Sequence, residues 1–316
     1  MKPAFTFVTV ATLAAGVCAC HATSWWTKYE NYPTEGDINA VALHDAENGW
    51  AVGEWGNILR LQEGGWSLFK TWPTQALYGV AFGGPAFGMT VGYRGAACYF
   101  DGTRWFAANI PTTQNMFAVA VPPGQNSVAW AVGANGNVWR WSGAWSRWNS
   151  GTTYNLRDVH FTGPTEGWLC GDAGRVYYFN GTWVPVNAPT AADFYCIHGL
   201  SAADVWVGGT NGTLYHYDGA AWARVHTPTG ETIRDLSFLR ATAGWAACDG
   251  GTILQYKYGQ WNKESTNPPT RENFNGICMA SVGKGWAVGG GGTIYEYRRF
   301  PEVSPTSLGR VKALFK

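Results

Sequence analysis

The chain has 316 residues, 42 of them glycine and 19 tryptophan, with only 14% charged side chains. Frequent glycine, many aromatics and short apolar runs argue for an all-β protein with a turn every few residues, and no long window shows helical periodicity. The net charge of +1 gives no electrostatic case for binding nucleic acid or an anionic membrane.

The N-terminus reads as an export signal over residues 1–22. Lys2 supplies the charge, Phe5 to Val17 is apolar, and Cys20-His21-Ala22 places small residues around a cleavage point. The alternative at the same place is a lipid anchor on Cys18 or Cys20, because Val17-Cys18-Ala19-Cys20 has the outline of a lipoprotein box. The run is too short to span a bilayer, and no later run is long enough. The expected location is secreted, periplasmic or in the cell envelope.

From residue 23 onwards one motif organises the chain. Gly49-Trp50-Ala51-Val52-Gly53 returns intact at 285–289, and altered copies place their landmark at 89, 130, 168, 206 and 245. The steps between landmarks run from 38 to 41 residues, the signature of a repeat architecture. Each unit opens with an apolar alternation, as in Ile38 to Leu43 or Leu156 to Phe161, which predicts a first strand. The Trp-Ala-Val-Gly strand follows, then a turn such as Asn135-Gly136-Asn137 that favours positive φ. A third strand carries aromatics, such as Tyr215 and Tyr217, and a fourth opens on Trp66, Trp105, Trp145, Trp183, Trp222 or Trp261.

Four short strands per forty residues predict a propeller blade. Seven copies of the first three strands stand against six fourth strands, and Trp26 at the front supplies the missing one. The predicted fold is therefore an all-β, seven-bladed β-propeller over residues 23–300, with four-stranded blades and the ring closed by the N-terminal strand around Trp26. Closure of this kind removes exposed sheet edges. Residues 301–316 read as a C-terminal tail, either mobile or a sorting segment.

The unit of residues 38–66, an apolar first strand followed by Gly-Trp-Ala-Val-Gly, Gly-Asn-Ile and Gly-Gly-Trp, resembles those of the photosystem II assembly and stability factor-like propellers, within the wider bacterial-neuraminidase-repeat-like group, and the likeness covers residues 25–300. The resemblance implies this architecture, and the group holds both binding proteins and glycosidases. The Asp box of that group survives only in fragments, at Asp101 to Trp105, Asn180 to Trp183 and Asp218 to Trp222.

Candidate chemistry sits where the repeats differ. Landmark and fourth-strand tryptophans read as packing between blades. Trp25, Trp55, Trp72 and Trp148 fall outside those slots and are either ordinary surface contacts or platforms for a sugar or peptide. In a propeller the first strands line the central channel. Their second position reads Asn39, Tyr78, Phe117, Arg157, Tyr195, Arg234 and Asn275, and their fifth includes His160, His198, Ser237 and Cys278.

The candidate ligand-binding set is thus Arg157, Asp158, His160, Tyr195, His198, Arg234 and Asp235. Arginine suits carboxylates or phosphates. The competing reading is local Arg157–Asp158 and Arg234–Asp235 pairing. No catalytic residue, cofactor or metal site is expected, because no first-strand position carries a glutamate and the histidines have no ligand spacing. Cys98, Cys170, Cys196, Cys248 and Cys278 read as buried thiols, with two bridges between neighbouring blades as the alternative. The expected function is non-catalytic binding of a protein or glycan at the channel face. The alternative is a carbohydrate-active enzyme or lectin.

Overall fold

A computed structural model describes residues 24–31, 33–71, 74–186 and 188–299. The export signal, the lipidation alternatives at Cys18 and Cys20, Trp72, and residues 301–316 lie outside the described residues. Ser24–Arg299 is one compact unit. Seven sheets succeed one another along it, six of them antiparallel with four strands. Each blade's first strand lies against the first strands of both neighbours, and the strand of blade 7 (Phe274–Ser281) returns to that of blade 1 (Ile38–Leu43). The sheets therefore form a ring with the first strands around its axis.

The ring is closed as the sequence predicts. Ser24–Lys28 pairs antiparallel with Ile294–Arg299, setting Trp26 opposite Tyr297. Blade 7 has a fifth strand, because Thr266–Asn267 runs parallel to the outside of Ser24–Lys28. It comes from the longer connection after blade 6, and it covers the backbone edge that the closing strand would otherwise expose.

The motif's residue types follow from packing. Its last glycine is extended, not left-handed; it is glycine because a Cβ at Gly53 would stand 2.1 Å from the Asp37 carbonyl oxygen. The next turn needs positive φ, and Asn135 (55°) and Gly136 (67°) supply it. Each landmark tryptophan reaches into the following blade. Trp130 meets Phe179 at 4.9 Å and Trp183 at 5.8 Å, and Trp206 meets Phe238 at 5.0 Å and Trp261 at 6.0 Å. Trp26 holds the fourth-strand position in this scheme, fully buried and 5.1 Å from Tyr297, which in turn lies 5.8 Å from Trp245. The Asp-box remnants Asp101 and Asp218 close hairpins by accepting N–H bonds from the turn residues that follow them.

Candidate functional site

All seven candidate residues line one cavity of about 260 Å³ on the ring axis, together with Asn39, Tyr78, Phe117, Ser237, Asn275 and Cys278. A backbone irregularity produces this convergence. In every blade the first strand carries a β-bulge at its second position. Ile38 pairs with Gly53 and Ala40 with Val52, so Asn39 has no partner across the ladder; the same skip recurs in the other six blades. A bulge re-aims its side chain, and here it brings seven of them to one end of the channel.

At that end the bulged side chains form a ladder across five blades. Tyr78 and Phe117 have ring centroids 6.3 Å apart. The Arg157 guanidinium carbon lies 4.8 Å from the Phe117 centroid and 5.2 Å from that of Tyr195, and Arg234 lies 5.0 Å from Tyr195 on its other side. Each cation–π contact contributes about 0.5–2 kcal/mol, more where water is excluded.

The two arginines do not pair with their sequence neighbours, which corrects the local-pair reading. Arg157 grips Asp172 through Nε (2.8 Å) and Nη2 (3.3 Å), and Arg234 grips Asp249 at 2.8 and 3.0 Å. Both aspartates open the turn between second and third strands of their own blades. Asn155 also donates to Asp172 at 2.8 Å. The signal for these partners was present in the sequence. Only blades 4 and 6 have arginine at the bulge, and both place aspartate fifteen residues later, at the turn position where the other blades have Glu54, Tyr93, Ala134, Thr210 and Gly290 (Ala134 seventeen residues after its bulge, the others fifteen).

Asp158 and Asp235 are neighbours of the arginines in sequence but work deeper in the channel. Asp158 accepts from the amides of Val159 and of Ile197 in the next blade, both at 2.8 Å. Asp235 does the same with Leu236 and Ile277. Ser237 accepts from Met279 at 3.0 Å. These side chains strap blade 4 to 5 and blade 6 to 7. Burial raises the Asp158 carboxyl to about 7, and burial with the charge of Asp158 raises Asp235 to about 8. His160 and His198 face each other with ring centroids 4.4 Å apart, beside the backbone of the following blade at Gly199 for His160 and at Leu236 and Phe238 for His198. Burial lowers His160 to about 4, and burial with the proximity of His160 lowers His198, so both rings are neutral near pH 7.

Cys170, Cys196 and Cys248 are buried thiols, and burial raises all three pKa values, which leaves them unreactive. Cys278 is a partly buried thiol on the channel wall, also raised by burial, to about 11. Among the described residues no group of histidine, cysteine, aspartate and glutamate is placed to hold a metal ion. No helix among them is long and apolar enough to cross a membrane. Of the off-pattern tryptophans, Trp55 is exposed on a positive-φ turn at the ladder end, and Trp148 lies on the outer strand of blade 3.

Fold and channel together define a seven-bladed propeller with a bulge-lined axial site. No family model and no curated protein sequence matches the chain. Solved structures share the fold. The structure titled YCF48 bound to D1 peptide covers 87% of this chain and 97% of its own, with 17% identity and a TM-score of 0.71. YCF48 from Cyanidioschyzon merolae covers 87% and 98%, at 17% identity and 0.68. The WD40 repeats of RRP9 cover 84% and 95%, at 9% identity and 0.68. The architectural resemblance read from the repeats is thus met in three dimensions, since YCF48 is a photosystem II assembly factor.

Proposed function

We propose that the chain is a non-catalytic binding propeller that captures a peptide segment of a protein partner at the ladder end of its channel. The observation that carries this is the alternation Phe117–Arg157–Tyr195–Arg234, in which each guanidinium is held flat by a carboxylate from its own blade. Two of five N–H donors on each fork go to that carboxylate, so the fork is pre-oriented and keeps donors for a ligand carboxylate or carbonyl. Asp172 and Asp249 balance the two positive charges. Selectivity then rests on planar hydrogen bonding and stacking and not on net charge.

A glycosidase needs two carboxyl groups available to the scissile bond. Among the described residues, Asp158 and Asp235 are the only carboxylates lining the cavity, and both oxygens of each already accept backbone amides. That supports binding over turnover. The bound peptide in a similar propeller is in keeping with this reading. The sequence features of residues 1–22 support a location in the cell envelope or outside the cell.

A photo-crosslinking residue at position 195 tests the site. The expected result is a single captured partner, lost in Arg157→Ala plus Arg234→Ala while the circular dichroism spectrum is unchanged. Unaltered capture by the double variant moves the site away from the channel.

A further inference from the structure

A second site lies at the perimeter, at the end of the blades opposite the ladder. Trp130 and Trp148 of blade 3 meet at 4.8 Å, and Trp148 lies 5.8 Å from Phe179 of blade 4. Together with Val128 and Pro164 they wall a groove of about 670 Å³ between the two blades. Its rim is polar: Gln125, Arg140, Thr165, Glu166 and Asn180. Gln125 donates to the Pro164 carbonyl at 3.3 Å, tying the loops of the two blades together, and Arg140 lies 5.9 Å from the Trp130 ring. Glu166 lies beside Tyr178, whose hydroxyl pKa is raised by burial and by the Glu166 charge.

The repeat supplies an internal control. The groove between blades 1 and 2 has the same frame, with Trp50, Arg60, Phe69, Pro85, Phe100 and Gly102 in the equivalent places. It holds only about 270 Å³. There His44 packs on Phe82 at 4.5 Å, where blade 3 has Pro122, and a phenylalanine stands in place of Trp148. Blades 3 and 4 have thus opened the slot and widened its aromatic wall.

The lining specifies the ligand. One cation and one anion balance, so the groove has no preference for a charged molecule. Aromatic faces beside planar amide, guanidinium and carboxylate groups suit a flat ring with an apolar face and a hydroxyl edge. The volume falls in the usual range for small-molecule sites, about 300–1,000 Å³. We propose that this groove binds a neutral sugar ring of a glycan, with Trp148 as the stacking platform and Arg140, Glu166 and Asn180 on its hydroxyls.

Isothermal titration with maltohexaose, cellohexaose and chitohexaose, alongside a neutral-glycan array, tests this. At least one ligand is expected to bind with Kd at or below about 1 mM. Trp148→Phe, which installs the residue of blade 1, and Glu166→Gln should each weaken it about tenfold or more. Phe69→Ala, and the Arg157→Ala plus Arg234→Ala pair, should leave it unchanged. Absence of binding across the panel overturns the proposal. So does binding that survives both groove variants, or a groove that takes a tryptophan-bearing peptide and no sugar.

Discussion

The seven bulged positions divide into two arcs with different work. In blades 2 to 6 they are Tyr78, Phe117, Arg157, Tyr195 and Arg234, stacked on one another across the mouth. In blades 7 and 1 they are Asn275 and Asn39, which donate to Ile38 O at 3.1 Å and Leu77 O at 2.8 Å in the following blades. The same backbone device presents a surface in one arc and fastens the ring in the other. The fastening arc coincides with the place where Ser24–Lys28 pairs with Ile294–Arg299. There the asparagines spend their side chains on the neighbouring blades.

The largest effect should come from breaking the closure. Trp26→Ala removes a fully buried indole between blades 6 and 7 and should cost about 3–5 kcal/mol in urea unfolding. It should also promote edge-to-edge association, read by light scattering. A loss under about 1 kcal/mol would mean that backbone pairing alone closes the ring.

Next in size is pH, which should separate the arcs because only the ladder side has titrating straps. Asp158 and Asp235 move from 3.8 when unfolded to about 7 and about 8 when folded. The folded state then binds more protons, so this stabilisation is complete below pH 3.8 and lost as pH rises through 8. The histidines act in the opposite sense. Their folded pKa values lie below 6.5, so their contribution falls on acidification below that value. The two pairs oppose each other between about pH 4 and 6.5, leaving a net decline of a few kcal/mol from about 6.5 to 8.5. Asp158→Asn plus Asp235→Asn should lower Tm at every pH, because an amide meets an N–H donor, yet flatten that decline. A slope that persists in the double variant assigns it to other groups.

How much of this was legible in sequence follows from what repeats and what does not. Blade number, strand order and the displaced Trp26 were readable because packing repeats the same residue at the same step. The channel set was readable because first strands line a propeller axis. The Asp172 and Asp249 partners were missed because they require comparing two strands of one unit at once. The bulge was invisible because an alternation of apolar residues looks the same with or without one skipped pairing. The fifth strand of blade 7 is two residues long, below any periodic signal. The straps of Asp158 and Asp235 depend on the amides of the adjacent blade, which no single repeat contains.

Asn39→Ala plus Asn275→Ala should cost about 1 kcal/mol per lost clamp and leave partner capture intact. Loss of capture would mean that the closure arc shapes the mouth as well as holding it. The smallest effect on stability, and the sharpest on function, is expected from Arg157→Lys plus Arg234→Lys. Lysine keeps the charge and reaches Asp172 or Asp249 through one ammonium, but it has neither the planar face that stacks on Tyr195 nor the two-pronged grip. Stability should change by less than about 1 kcal/mol, since a half-buried pair of opposite charges remains in each blade. Partner capture should nonetheless be lost. If the lysine pair captures as well as wild type, a positive charge at each position suffices, and the stacked geometry that separates the two arcs is a means of packing the mouth and not of reading a ligand.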